Sequence, residues 1–421
     1  MNMGALSNMV MNETTAYAKE VIPASMHWRQ LKKGVPVSRT PFKLDSEQLN
    51  YSTTGNKIVH FDLPSEGLSD FSRAALDINV KINTIGGTYK RLAQGANCIF
   101  ERLLIRSVGT TLEDIRAYNL LSTILTATAV ESDVVETVGN AMYGWGTQLE
   151  RNFWGSGTKQ YLLPIYSAFL ACGNIPTGVS ERIIVEFYMD DPVNYVETDG
   201  TIVSVEILDC ELQFEKLFPS DAYSAALKSN LTSFGLTLGS KTYEYCVNIV
   251  RGATESIPIS FKASSVSGFL CVQRPDADLR NPLIDDKMLN WFKYGLQEFY
   301  IKLNGTPFPP EPYVASGDAV EAYKAFLDWL GKWGIHGTLI NPPTISGDSY
   351  NTDKFLIVVD LDQYPESPYL LNPIGTLSLA SAATIELKNT APPAIIQRLE
   401  TFVIYHKAWI MSRDGRWRVQ L

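Results

Sequence analysis

Apolar and polar residues alternate with a period of two in many separate stretches of this 421-residue chain. Such stretches occur at residues 76–82, 183–189, 299–303, 355–361, 377–387 and 402–410. Successive side chains of a β-strand point to opposite faces, so the alternation indicates strands that each have one buried face. Because Gly, Pro, Asn and Asp separate the stretches, the pattern predicts an antiparallel all-β protein.

The alternating stretches fall into two sets of similar length, with a seam between Phe218 and Leu236. An eight-stranded jelly roll with about five or six residues per strand, plus its connections, fits the length of each set. The sequence therefore predicts an all-β fold of two tandem eight-stranded antiparallel jelly-roll sandwiches with a few inserted helices. The predicted parts are an N-terminal arm at 1–43, a first jelly roll at 44–219, a linker at 220–235 and a second jelly roll at 236–421.

Three segments depart from the alternation and are predicted to be helical, at 111–128, 318–333 and 14–21. The first offers Thr111 as an N-cap, followed by apolar residues at helical spacing. The second offers Asp318 with Glu321 as a capping pair. The third is weaker and ends before Pro23, which cannot continue a helix.

One predicted strand changes phase partway along its length. Val205 and Ile207 belong to its first apolar face, whereas Cys210 and Leu212 follow in the opposite phase. A shift of one residue moves every later side chain to the other face of a sheet. An extra residue restores the phase, so we predict a β-bulge near Ile207–Leu208.

Composition excludes several classes of protein. The formal net charge of −9 argues against a surface that coats nucleic acid. No apolar run approaches the roughly 18 residues that a membrane span needs. The five cysteines are widely spaced and form no CxxC pair, which is typical of reduced, buried thiols. We therefore expect a protein that is neither secreted, nor membrane-spanning, nor a zinc ribbon.

The sequence contains no HExxH, GxSxG, Walker or GxGxxG motif. His406 lies on the apolar phase of its strand and is predicted to be a core residue. Carboxylate pairs can support glycoside hydrolysis or Ca²⁺ binding, but aspartate is also favoured in turns, and the turn interpretation is preferred here. The pairs are Asp190 with Asp191, Asp276 with Asp278, Asp285 with Asp286, and Asp360 with Asp362. We predict no catalytic residue, no metal site and no cofactor.

Basic charge is concentrated at the N-terminus. Residues 1–43 hold six basic and two acidic side chains, a formal charge of +4, so the remainder carries −13. This arm is either a solvated tail or a segment that meets an anionic or amphipathic surface such as a membrane face. The residues predicted to face a partner are Met26, Trp28, Arg29, Lys32 and Lys33.

Between residues 160 and 415, a series of strand and turn fragments occurs in a particular order. In the first half they are Tyr161-Leu162-Leu163-Pro164-Ile165, Asn174-Ile175-Pro176, the stretch from Ile183 to Asp191, and Ile207-Leu208-Asp209-Cys210-Glu211. In the second half they are Tyr243-Glu244-Tyr245, 257–261, 268–274, Asn304-Gly305, 373–377 and Ile410-Met411-Ser412 with Gly415. Taken in this order, the fragments resemble the double jelly-roll major capsid proteins. That lineage includes tailless membrane-containing phages, adenovirus hexon, virophages and large algal DNA viruses.

The resemblance implies a non-enzymatic viral major capsid protein, located in the capsid shell of a DNA virus. It implies a homotrimer that forms a pseudo-hexagonal capsomer of an icosahedral shell. The implied partners are neighbouring capsomers, minor capsid or penton proteins and, for the arm, an internal lipid membrane, with no sequence-specific nucleic acid. Two alternatives stay open: a tandem β-sandwich that binds or acts on glycans, and a minor virion or spike protein of the same fold.

Overall fold

The alternating stretches form antiparallel strands throughout the described part of the chain. The computed structural model describes residues 37–129, 139–329, 345–361 and 383–420, apart from the single residues 156, 262, 264, 304 and 394. The predicted helix at 14–21 and the predicted partner-facing residues of the arm lie outside these ranges. The predicted helix at 318–333 is described only in part.

The described residues of the first half form twelve strands. They are β1 Val37–Asp45, β2 Asn50–Ser52, β3 Ile58–Asp62, β4 Leu68–Ile85, β5 Lys90–Leu92, β6 Phe100–Ser107, β7 Thr110–Arg116, β8 Thr158–Pro164, β9 Asn174–Ile175, β10 Ile183–Met189, β11 Val196–Thr198 and β12 Thr201–Pro219. Its helices are α1 Tyr118–Ala129, α2 Asn140–Tyr143, α3 Gln148–Arg151 and α4 Ala168–Ala171, with 3-10 turns at Ala96–Ile99 and Pro192–Asn194.

Helix α5, Asp221–Phe234, then leads into the second half. The strands of that half are β13 Leu236–Val250, β14 Thr254–Ile259, β15 Val266–Pro275, β16 Leu296–Leu303, β17 Thr306–Val314, β18 Leu356–Asp360, β19 Ala383–Asn389, β20 Gln397–Met411 and β21 Trp417–Gln420. Its helices are α6 Val320–Trp329 and α7 Gly347–Thr352, with a 3-10 turn at Asp278–Arg280. None of the helices in these described ranges is long and apolar enough to cross a membrane.

Within the described ranges each half has eight main strands, which lie in the same spatial order in both. In the first half the orders are β1-β12-β4-β8 and β3-β10-β6-β7, and in the second they are β13-β20-β15-β18 and β14-β19-β16-β17. Numbered along each half, both halves read 1-8-3-6 in one sheet and 2-7-4-5 in the other, and the ladders are antiparallel. Two four-stranded sheets built from eight strands in this way form a jelly roll. The predicted fold class is confirmed.

The core of each half lies between its two sheets. In β4, the predicted alternation places Leu76, Ile78 and Val80 almost fully inside. In the second half β15 is buried on both faces, and so are the apolar residues of β18. Helix α6 contributes Phe326, whose ring lies 5.6 Å from that of Tyr350. The second roll therefore has an extra apolar layer beside β18.

The predicted helix at 111–128 is wrong in its first part. Residues Thr110–Arg116 form strand β7, which pairs with β6, and the helix begins only at Tyr118. The strand ends at Arg116, and the next residue, Ala117, has a positive φ of 49°. Ile115, the last buried residue of the strand, is three residues before Tyr118, the first residue of the helix. Their spacing is therefore the same as that of two residues on one face of a helix.

The predicted bulge in β12 is confirmed. The register between β12 and β4 shifts between Leu208 and Glu211, and Asp209 has a positive φ of 50°. Ile207 and Cys210 are both buried on either side of it. The bulge therefore restores the inward phase one residue beyond the predicted position.

The phase predicted for the end of β20 is wrong. The buried side chains there are Tyr405, Lys407, Trp409 and Met411, whereas His406 is only half-buried and is not a core residue. Two other differences concern boundaries: α5 occupies most of the predicted linker at 220–235, and β1 begins inside the predicted arm. Alternation alone could not choose the phase of β20, because both of its faces carry apolar residues.

A first prediction tests the assigned core. Val359 in β18 is 1% exposed, so Val359→Ala should lower the free energy of unfolding by about 1–4 kcal/mol through lost packing. The matched control is Val203→Ala, because Val203 is 46% exposed and the same methyl groups are removed. Thermal unfolding of both variants against wild type is the measurement. Equal midpoints for Val359→Ala and wild type would contradict the strand phase.

Candidate functional site

The two halves meet in an interface, called the joint below, that is built from residues distant in sequence. Phe169 of α4 packs against two indole rings of the second half, at 5.5 Å from Trp409 and 5.4 Å from Trp417. The indole Nε1 of Trp409 donates a hydrogen bond to the backbone oxygen of Leu112 in β7 at 2.8 Å. Trp409 of β20 is therefore buried against the first half.

A buried carboxylate continues the joint next to these rings. Glu113 of β7 is 1% exposed and accepts hydrogen bonds from the hydroxyl of Ser167 and the backbone nitrogen of Ala168, at the start of α4. It also accepts a hydrogen bond from Thr242 Oγ1 of β13 at 2.7 Å. A buried carboxylate is tolerated when its lone pairs are satisfied. Glu113 therefore fixes α4 within the first half and β13 across the joint.

A second polar contact joins the halves through six charged side chains, here called the joint cluster. The first half supplies Arg91, Arg151 and Glu197, and the second half supplies Asp285, Asp286 and Lys287. The first set carries a formal charge of +1 and the second −1. The two halves thus neutralise each other where they meet.

Glu197 lies at the centre of the joint cluster and is fully buried. Its Oε2 atom lies 2.7 Å from Arg91 Nε and 3.7 Å from Arg151 Nη1, and its Oε1 accepts the backbone N–H of Asp286 at 2.6 Å. Arg151 Nη2 lies 2.5 Å from Asp286 Oδ1, and Arg91 pairs with Asp285. Every oxygen of this buried carboxylate therefore has a donor.

Burial perturbs the ionisable groups of the joint cluster. It raises the pKa of Glu197 to about 7, although the charges of Arg151 and Arg91 oppose this shift. It lowers the pKa of Lys287 to about 8, against the opposing charge of Glu197. The ammonium of Lys287 donates to the backbone oxygens of Val193 at 2.5 Å and Val196 at 3.2 Å in the first half.

A cleft of about 630 Å³ also lies between the halves. It is lined by a buried ion pair, in which Arg274 Nε lies 2.5 Å from Glu400 Oε2, and by Tyr245, whose hydroxyl donates to Glu400 Oε1 at 2.9 Å. These three residues belong to β15, β20 and β13. Their bonds hold the three strands in register, so the charges that line the cleft stabilise the second roll.

The acidic pairs singled out in the sequence have structural roles. Asp190 accepts hydrogen bonds from the side chains of Asn119 and Asn194, both at 2.8 Å, and Asp191 caps the turn Pro192–Asn194. Asp276 lies 3.9 Å from Arg398, and Asp278 begins a 3-10 turn. These observations agree with the turn interpretation, whereas Asp362 lies outside the described residues. Among the residues that the structure describes, no group of three or more His, Cys, Asp or Glu could hold a metal ion.

Most residues of the joint are not among those that the sequence singles out. The predicted partner-facing residues Met26, Trp28, Arg29, Lys32 and Lys33 all lie outside the described ranges. Glu113, Arg151 and Glu197 carry no functional prediction, and for Asp285 and Asp286 the sequence favours a turn over a glycan-active or Ca²⁺-binding pair. A useful signal was available: an acidic or basic residue within a buried strand needs a partner, and Glu197 is such a residue in β11.

Comparison with solved structures places this arrangement among known folds. The Faustovirus major capsid protein is 10% identical with a TM-score of 0.64, and 90% of this chain covers 91% of that chain. The PBCV-1 virus capsid is 12% identical with a TM-score of 0.61, and the match covers 92% of this chain and 97% of that chain. The Sputnik virophage structure is 7% identical with a TM-score of 0.54, and the match covers 91% of this chain and 88% of that chain. The fold is the double jelly roll of these capsid proteins. No family model and no curated protein matches the chain.

One variant tests how much the joint contributes to the stability of the chain. Arg151→Leu should lower the free energy of unfolding by about 3–5 kcal/mol, because it leaves buried Glu197 short of a cation and Asp286 without its partner. The control is Arg102→Leu. The side chain of Arg102 is 33% exposed in its ion pair with Asp114, so loss of this pair should lower the free energy of unfolding by about 1 kcal/mol or less. Urea unfolding measures both.

The same pair of variants has a pH signature. The pKa of Glu197 is raised on folding, so its contribution to stability increases as the pH falls from the folded pKa toward the ordinary value. Loss of Arg151 raises that pKa further, so the cost of Arg151→Leu should be smaller at about pH 5.5 than at about pH 8. A cost that is the same at both pH values, as expected for Arg102→Leu, would contradict this account.

Proposed function

We propose that the protein is a viral major capsid protein that forms trimeric pseudo-hexagonal capsomers in the icosahedral shell of a virion. The observation that supports this most strongly is that two rolls of identical strand order are joined by a buried interface. Three copies of such a pair present six equivalent units, which suits a six-sided tile. The solved structures compared above are capsid proteins, and the match covers 91% and 97% of the Faustovirus and PBCV-1 chains.

We further propose that the protein is not an enzyme. The carboxylates that could have served a glycan-active protein bind the protein itself: Asp190 its neighbouring asparagines, and Asp286 the guanidinium of Arg151. No specific observation favours the glycan-binding or spike alternative. The proposed partners are two further copies, neighbouring capsomers and minor capsid proteins.

Electron microscopy in negative stain, combined with sedimentation, tests the proposal directly. The purified full-length chain should sediment as a trimer and appear as pseudo-hexagonal particles. The reference is the same protein under denaturing conditions, which gives the mass of one chain. Compact monomers at high protein concentration would overturn the proposed function.

The N-terminal arm is proposed to tether the capsomer during assembly. Residues 1–36 precede β1, whose first residue Val37 pairs with Pro219 at the end of β12. The basic side chains Arg29, Lys32 and Lys33 would be attracted to lipid phosphates or to an acidic neighbouring capsomer, whereas the acidic body would be repelled by the lipid. With so few cations the attraction should be modest and weakened by salt.

Truncation tests this role of the arm. A chain lacking residues 1–33 should form folded trimers but assemble shells poorly, because the strand pairing of β1 is retained and the tether is lost. The variant with Arg29, Lys32 and Lys33 all changed to Gln keeps the length and separates charge from apolar contact. Shell yield by light scattering and microscopy is the measurement. If truncated chains assemble as efficiently as wild type, the arm is only a tail.

A further inference from the structure

The cleft of about 630 Å³ between the halves is rich in arginine. Five guanidiniums and four carboxylates line it, so the lining has a formal charge of +1 in a chain whose formal net charge is −9. The first half supplies Arg102 of β6 and Arg116 of β7, and the second half supplies Arg274 of β15, Arg280, and Arg398 of β20. The cleft therefore gathers positive charge from both halves.

Three of these arginines have side-chain donors that the described residues do not use. Arg116, Arg280 and Arg398 donate no side-chain hydrogen bond within the described ranges, although all three border the cleft. Arg116 Nε lies 3.8 Å from Asp114 Oδ2, and Arg398 Nη1 lies 3.9 Å from Asp276 Oδ1, so both separations exceed a hydrogen bond. Arg280 is exposed and has no ion pair with a residue that the structure describes. These guanidiniums can therefore bind an anion from solution.

Arg274 is nearly buried, and its terminal nitrogens lack a strong acceptor. Its side chain is 7% exposed, and its Nε atom is paired with Glu400. In the described part of the chain, the only acceptor of the terminal nitrogens is the thioether sulfur of Met288, 3.6 Å from Nη1. A thioether is a weak acceptor, and a buried donor without a good partner lowers stability. The oxygens of an anion in the cleft would accept these remaining donors.

Arg274 and Arg398 are direct neighbours across the ladder of β15 and β20. Like charges directly opposite each other destabilise a sheet. Glu400 neutralises one of the two guanidiniums, at 2.5 Å from Arg274 Nε. Asp276 is 53% exposed and lies 3.9 Å from Arg398, so it neutralises the other only weakly. An anion bound against both guanidiniums would reduce their repulsion, which favours an anionic ligand at this place.

We propose that the cleft binds a small phosphorylated compound through Arg116 of the first half and the three arginines of the second half. A carboxylate offers two oxygens and one negative charge, whereas a phosphoryl group offers three oxygens and up to two charges. The planar guanidinium matches phosphate oxygens in a bidentate geometry. A volume of about 630 Å³ lies in the range of small-molecule sites, about 300–1,000 Å³. The ligand would link the two halves beside the joint.

The carboxylates of the lining leave this site available. Asp190 and Glu400 each accept hydrogen bonds from side chains of the protein. Glu101 and Asp276 are exposed, so solvent and salt screen their repulsion of an anion. The variant Glu101→Gln removes one of these charges and should therefore bind the ligand about threefold more tightly.

Isothermal titration calorimetry of the full-length chain with pyrophosphate tests the binding. Pyrophosphate should bind saturably at one site per chain and raise the midpoint of thermal unfolding, because a ligand of the folded chain stabilises it. Acetate at the same ionic strength should do neither. Vesicles that contain phosphatidic acid present the same group on a surface, and they should not displace pyrophosphate because the cleft is concave. Displacement by the vesicles would overturn the assignment to a soluble ligand.

Substitution of single arginines tests the position of the site. Arg280→Gln and Arg398→Gln should each weaken pyrophosphate binding about tenfold, because each removes a charge-assisted hydrogen bond. Arg116→Gln should do the same from the first half. The matched control is Arg73→Gln, because Arg73 is an exposed arginine of β4 outside the cleft, and it should keep the affinity of wild type. Thermal unfolding without pyrophosphate shows whether each variant is folded.

The outcomes decide the inference independently of the proposed function, because binding is measured on the chain in any oligomeric state. If pyrophosphate does not bind saturably, or binds equally to wild type and to all three cleft variants, the site is wrong. If Arg116→Gln alone keeps full affinity, the ligand does not link the halves. If a cleft variant does not fold, Glu101→Gln decides: tighter binding supports the site, and unchanged affinity overturns it.

Discussion

The arrangement of the two rolls depends on buried charges that neither roll can satisfy alone. Arg151 and Glu197 of the first half are almost fully buried, and they are completed by Asp286 and its backbone N–H from the second. A buried charge that loses its partner costs several kcal/mol. Separation of the halves would therefore leave unpaired charges on both sides. The two sandwiches are consequently coupled through the joint.

The fold was largely predictable because a sandwich is specified by alternation, and alternation is local. Leu76, Ile78 and Val80 show their inward phase without any knowledge of their neighbours. The prediction was wrong where a side chain packs against the other half of the chain. Trp409 is buried against Phe169 and the oxygen of Leu112, and no feature near Trp409 in sequence reports this.

The joint was not predictable from the sequence. Arg91 and Asp285 pair across 194 positions, and Arg151 and Asp286 pair across 135. Adjacent aspartates are common in turns, so the sequence around Asp285 and Asp286 predicts only a turn. Their pairing with Arg91 and Arg151 is visible only in the folded structure. The signal that did exist was on the other side, where Glu197 directly follows apolar Tyr195 and Val196. A charge at such a position predicts a partner but not its identity.

The lengths of the longest strands have a consequence for the dimensions of any particle built from this chain. Strands β4 and β12 contain 18 and 19 residues and run side by side, so at about 3.3 Å per residue they extend roughly 60 Å. If the proposed shell holds the rolls upright beside one another, this length sets the thickness of its wall. Wall thickness would then be encoded as a residue count along two paired strands, and loop insertions would change the relief of the surface while leaving the wall itself unchanged.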